Sequence, residues 1–241
     1  MGKTGLFITL EGLDGSGKTV QGEKLYRALA EAFENKVIMT REPGGVEGAE
    51  DIRKVLLQGD SGKFHPVSEV FLFYAARYEH FYRRIYPALA DGYIVVCDRF
   101  IDSSIAYQGA GKGVPTKFFD YIHEILAFPP SQQLIHKIVP DRTYIFDIDP
   151  AISVARLTSR QQQGNSSNDR PDDRFEKLST DFHEKVRQGY LDIAKQDPAR
   201  CRVVDASNSV EFIHNEILKD ALLLVNDMAV DTPYAGDELF Y

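Results

Sequence analysis

The chain has 241 residues, 43% hydrophobic and 27% charged, which fits one α/β domain with a well-buried core. Nothing approaches the ~18 consecutive apolar residues of a membrane-spanning helix. A formal net charge of −8 argues against a general nucleic-acid binder, which needs a basic surface to neutralise phosphates.

The N-terminal residues lack the basic-then-apolar pattern of an export signal. Cys97 and Cys201 have neither the number nor the spacing of a disulfide framework or a metal site. Both are expected to be buried reduced thiols in a cytoplasmic protein. The six histidines are scattered without paired ligand spacing and are read as solvated or hydrogen-bonded.

Strand-like runs occur at Leu6–Leu10, Val37–Thr40, Tyr93–Cys97, Thr143–Ile148 and Arg202–Val204, with helical segments between them. Strands alternating with helices predict βαβ units, hence a five-stranded parallel sheet covered on both faces. The helix after the first run starts near Lys18 and sets Leu25, Leu29 and Phe33 on one face. A second is predicted from Ser68 as N-cap to beyond Arg84, with Pro87 marking its end or a kink. From Gln161 to Asp173 the chain is polar and aperiodic, a candidate mobile loop. No internal repeat or linker interrupts residues 1–227, which read as one domain with a lid at about 156–175. Residues 228–241 form a tail without clear period.

Gly12-Leu13-Asp14-Gly15-Ser16-Gly17-Lys18-Thr19 fits the phosphate-loop pattern, directly after a strand and before an amphipathic helix. In such a loop backbone N–H groups and the helix N-terminus face the phosphates. Lys18 reaches the β- and γ-phosphates and Thr19 offers its hydroxyl to Mg²⁺. An NKxD guanine-reading segment is absent after the later strands, which disfavours a GTPase switch.

Three further stretches carry a resemblance. They are Thr40-Arg41-Glu42-Pro43-Gly44-Gly45, Phe73 through Arg77, and Asp98-Arg99-Phe100-Ile101-Asp102-Ser103-Ser104-Ile105-Ala106-Tyr107-Gln108-Gly109. In this order, with the phosphate loop and Asp173-Arg174-Phe175-Glu176, they resemble bacterial-type thymidylate kinases over roughly residues 6 to 205. The resemblance implies the P-loop nucleoside-monophosphate-kinase fold with a mobile lid, a homodimer, and Mg²⁺-dependent phosphoryl transfer from ATP to dTMP. The alternatives are a kinase for another nucleotide or deoxynucleoside, or an ATP-binding module without turnover.

Asp98 closes its apolar run at the C-terminal sheet edge, placed to act on Mg²⁺ or its waters. Arg41 and Arg99 can each offer a planar fork to an acceptor phosphate. Phe73 and Arg77, four apart on a helix, share one face, suited to stacking on a pyrimidine and donating to a ring carbonyl. The family pattern implies that Gln108 pairs with the thymine edge, Tyr107 closes off the space of a ribose 2′-hydroxyl, and Asp14 accepts from the sugar 3′-hydroxyl. Ser103 joins the substrate set. Gly15 is not basic, so the charge-stabilising arginine is expected from the lid, Arg160 ahead of Arg170. Arg174, by its match to Asp-Arg-Phe-Glu, reads as structural.

Overall fold

The computed structural model describes residues 5–126, 139–162, 174–176 and 178–230. The chain runs β1 (Leu6–Gly12), α1 (Lys18–Ala32), β2 (Val37–Arg41), α2 (Glu47–Leu57), α3 (Pro66–His80), α4 (Tyr86–Ala90), β3 (Ile94–Asp98) and α5 (Ile101–Ser104). It continues through α6 (Thr116–Leu126), β4 (Arg142–Asp147), α7 (Pro150–Gln162), α8 (Thr180–Gln196), β5 (Cys201–Asp205) and α9 (Val210–Val230).

All five predicted strands are present and pair in parallel in the order β2-β3-β1-β4-β5. Helices cover both faces of the sheet, so every residue of the central strand β1 is buried. Register fixes the functional edge. Asp98 lies opposite Leu10 on one side and Arg41 on the other, so the ends of β2 and β3 stand level with the start of the phosphate loop. Ligands of open α/β sheets bind at this edge, where the connections leave in opposite directions.

The predicted α1 stripe packs as expected, with Leu25 and Leu29 fully buried and Phe33, at the C-cap, packed against the same core. Each such burial contributes about 1.5–3 kcal/mol. Cys97 and Cys201 are buried and unpaired. No helix among the described residues is long and apolar enough to cross a membrane.

Two helical expectations change. The helix expected from Ser68 begins at Pro66, and His65 caps it, its Nδ1 accepting from Val67 N at 3.3 Å. Proline at the first helical position is pre-organised and outweighs the better capping chemistry of Ser68. The helix runs past Arg84 as expected, but Pro87 does not end it: the chain passes through a π-helical turn at Phe81–Ile85 into α4. That widened turn lies just before Pro87, whose missing N–H would otherwise break an α-helical ladder. At the C-terminus, α9 extends to Val230, three residues into the stretch read as a tail; residues 231–241 lie outside the described residues.

Candidate active site

The phosphate loop occupies residues 12–19 between β1 and α1, with Gly17 at the helix N-cap in a left-handed conformation. Leu13 and Ser16 are buried. Gly15 has φ +80, and a Cβ there would stand 2.7 Å from the carbonyl oxygen of Ser153 on α7. Only glycine therefore lets α7 close against the loop. Ser153 Oγ donates to Asp14 O, and Arg156 Nη2 donates to Ala206 O at 3.1 Å.

Lys18 is 5% exposed, and its Nζ donates to the carbonyls of Gly12 at 2.9 Å and Leu13 at 2.6 Å. Burial pulls its pKa down to about 8, and Arg99 pushes the same way against Asp14, Asp98 and Glu11. Thr19 Oγ1 donates to Asp98 Oδ2 at 2.8 Å. Asp98 Oδ1 is buried without a hydrogen-bond donor. A buried carboxylate oxygen left without a partner is costly in a protein but suits a hard divalent cation or its waters, so the pair fits Mg²⁺.

Arg99 follows Asp98 with φ 72, a left-handed conformation that costs a non-glycine residue about 1–3 kcal/mol. Two bonds hold the turn: Arg99 N donates to Leu10 O at 2.9 Å, and Phe100 N donates to Glu11 Oε1 at 2.7 Å. The guanidinium meets Asp14 Oδ1 at 2.8 Å through Nη2, and Ser103 Oγ at 3.1 Å and Tyr190 OH at 3.0 Å through Nη1. Tyr107 OH donates to Asp14 Oδ2 at 3.2 Å. Asp14, Arg99, Ser103 and Tyr107, separated in sequence, thus form one cluster.

Beyond it lies a cavity of about 440 Å³, part of it open to solvent, lined among others by Asp14, Arg99, Tyr107, Gln108, Phe73 and Arg77. Its closed end is built from the face of α3 and from a π-helical turn, Ile105–Gly111, that follows α5 and carries Tyr107 and Gln108. Such turns recur at functional sites because they re-aim side chains. Helix α8 packs tightly on it, since a Cβ at Gly189 would lie 2.6 Å from Ala110 Cβ. Phe73 leans against Phe175 with ring centroids 5.9 Å apart. Arg77 is 3% exposed and pinned by Glu42 Oε2 at 2.7 Å, Ser104 Oγ at 3.1 Å and Phe100 O at 2.9 Å.

One expected residue stands differently, and two fall outside what is described. Arg41 is at the right strand end, but its side chain pairs with Glu50 at 3.1 Å and does not line the cavity. Arg160 lies on α7, its side chain outside the described residues, as is Arg170 altogether. Arg174 is structural, 1% exposed, with Nε on Leu56 O at 2.6 Å and Nη1 on Ser61 O at 3.1 Å.

Several contributors were not found from sequence. Glu11 is fully buried directly before the loop and accepts from Ser103 Oγ at 2.6 Å and Tyr190 OH at 3.1 Å. Its pKa is raised to about 7, by burial first and by Asp102 second. A carboxylate ending an otherwise apolar strand was the available signal. Glu42 and His80 form a second buried group: His80 bridges Glu42 Oε1 at 3.1 Å and Thr40 Oγ1 at 2.7 Å.

A phosphate loop at the end of the central strand, beside a cavity lined by an aromatic ring, a buried arginine and an amide, places the molecule in the class of P-loop nucleotide phosphotransferases. The thymidylate kinase family profile matches residues 10–217. A thymidylate kinase of Symbiobacterium thermophilum is 41% identical over 223 residues, covering 92% of this chain and 94% of that protein. One from Ruegeria pomeroyi is 36% identical over 226 residues, covering 94% and 99%. The crystal structure of thymidylate kinase from Ehrlichia chaffeensis superposes with a TM-score of 0.68 at 34% identity, covering 90% of this chain and 98% of that one. This chain belongs to the thymidylate kinase family.

Proposed function

We propose that the protein transfers a phosphoryl group from ATP to dTMP, giving ADP and dTDP, without a covalent enzyme intermediate. The observation that carries this reading is the single crevice. One end is a phosphate loop, and the other is a cavity bearing an aromatic face, a buried arginine and an amide, with Asp14 and Arg99 at the junction. Phosphoryl transfer needs in-line positioning and charge neutralisation rather than a nucleophilic side chain.

In this reading residues 12–19 cradle the donor phosphates through backbone N–H groups, and Lys18 turns from its loop carbonyls to the β- and γ-phosphates. Thr19 and Asp98 hold Mg²⁺, which supplies charge neutralisation on the phosphates. Asp14 accepts from the 3′-hydroxyl, Tyr107 bars a 2′-hydroxyl, and Ser103 braces Arg99. Phe73 stacks on the base, while Arg77 and Gln108 read its edge. Arg99 binds the acceptor phosphate, and Arg41 joins it by exchanging Glu50 for phosphate. Arg160 is the reading for the charge-stabilising arginine of a lid at about 156–175. The protein acts as one domain, in the cytoplasm and as a homodimer.

A coupled ADP-release assay with ATP, Mg²⁺ and a panel of dTMP, dUMP, dCMP, dGMP, AMP, UMP and thymidine tests the assignment. dTMP is expected to lead the panel in kcat/KM. Turnover with none of the monophosphates, or a clear preference for thymidine itself, overturns it.

A further inference from the structure

Glu69 has no role in the reaction as described, yet it is fully buried on α3 beneath the far end of the cavity. It stands four residues before Phe73 and eight before Arg77, on the helical face that builds the cavity. Two cations neutralise it: Lys112 Nζ at 2.7 Å and Arg174 Nη2 at 2.7 Å, both on Oε1. Its other oxygen, Oε2, accepts from Gln108 Nε2 at 3.2 Å.

That last bond determines which way the amide faces. A carboxylate held between two cations only accepts, so it selects the NH₂ side of Gln108. The flipped amide would set two acceptor oxygens against each other between two buried side chains, where an unpaired polar group is costly. Gln108 Oε1 is then the amide atom left for a ligand, and no donor among the described residues bonds to it. Arg77 lines the same cavity and presents only donors. An acceptor beside a donor complements a pyrimidine with N–H at ring position 3 and a carbonyl at position 4. It opposes cytosine, which has a lone pair at position 3 and an amino group at position 4.

We propose that Glu69 is a positioning residue that locks Gln108 with its carbonyl toward the ligand and thereby sets the preference for a 3-NH pyrimidine over cytosine. This rests on reading the cavity as the acceptor-base pocket. Arg174 is part of the device: it ties Glu69 to the backbone of the last turn of α2 through Leu56 O and of the α2–α3 connection through Ser61 O.

The test compares Glu69→Gln, Gln108→Leu and the double variant with the wild type, using dTMP and dCMP at saturating ATP. A glutamine at position 69 can donate as well as accept, so Gln108 is free to turn. The dTMP-over-dCMP ratio of kcat/KM is expected to fall about tenfold, as for one lost buried hydrogen bond. The change should appear in KM for dTMP and leave KM for ATP in place. Gln108→Leu should lose the preference, and adding Glu69→Gln to it should cost nothing more in the ratio.

If Gln108→Leu keeps the preference, the base-pocket reading fails and the proposal with it. If Gln108→Leu loses it while Glu69→Gln keeps it, or if the two effects add, the pocket stands and the role of Glu69 is overturned. Removing the charge leaves Lys112 and Arg174 without their counter-ion and can unfold the variant. In that event the wild-type crystal structure with dTMP decides. Gln108 Nε2 still on Glu69, with Oε1 facing ring N3, supports the proposal; an amide parted from Glu69 in that complex sinks it.

Discussion

Thr19 donates its hydroxyl proton to Asp98 across 2.8 Å, so the first turn of α1 and the end of β3 share one bond at the sheet edge. The second oxygen of Asp98 is buried without a donor. Asp98→Asn preserves the shape and removes the charge. It should lower kcat by roughly a hundredfold and shift the Mg²⁺ concentration for half-maximal rate upward. A Mg²⁺ titration of the initial rate reads both effects, and an unchanged midpoint with kcat within about tenfold contradicts the assignment.

Lys18→Ala should nearly abolish turnover with the fold intact, because the loop is shaped by backbone. The wild type offers a subtler check. With its free-enzyme pKa lowered to about 8 by burial, Lys18 loses its charge as pH rises through that value. Bound phosphates restore the charge, so kcat/KM for ATP should decline above pH about 8 while kcat declines at higher pH. Parallel profiles for the two parameters would count against Lys18 as the group observed.

Phe73→Ala and Gln108→Ala should raise KM for dTMP far more than KM for ATP, since both residues line the cavity beyond Asp14. A lost base stack corresponds to roughly 1–3 kcal/mol by analogy with aromatic stacking on nucleic-acid bases. Tyr107→Ala should improve ribothymidine monophosphate relative to dTMP by removing a clash. Initial rates over a matrix of both substrates separate the effects; an equal loss for ATP would place the acceptor pocket elsewhere.

Glu11 predicts a pH dependence of stability. Its native pKa, about 7, lies above the ordinary 4.5, so the native state binds the extra proton between these values. This contribution is complete below about 4.5 and is lost as pH rises through about 7. Glu11→Gln removes it, so going from pH 5 to pH 7.5 should favour the variant's stability more than the wild type's. Urea midpoints at the two pH values give the comparison, and equal changes in both proteins refute the coupling.

The strands were legible because each is a short apolar run bounded by charge or turn residues, and parallel strands buried on both faces need no alternation. The phosphate loop and the Asp98–Arg99 turn were legible because their chemistry is local. The π-helical turns were not, since no residue spacing distinguishes them from α-helix before tertiary packing acts. His65 displaced Ser68 as the cap because Pro66 decided where the helix starts. Glu69 escaped notice although it shares the i, i+4, i+8 face with Phe73 and Arg77, because a helical glutamate ordinarily faces water. Its burial depends on Lys112 and Arg174, which approach from distant parts of the chain. Arg41 reached its strand end as read, but the partner in reach there is Glu50.

The contact of α7 with Gly15 also restricts how the lineage can change. An arginine here would be the alternative to a cation from the lid, yet any Cβ meets the Ser153 carbonyl and the backbone is left-handed. A side chain at position 15 is therefore not one substitution away. Gly15→Ala alone should already cost more than about 1 kcal/mol, and an arginine becomes tolerable only after α7 has withdrawn. If the lid supplies the cation as proposed, the two ways of bringing one to the transferring phosphoryl group are separated by a fitness valley: helix position and loop residue must change together, and the order of steps matters.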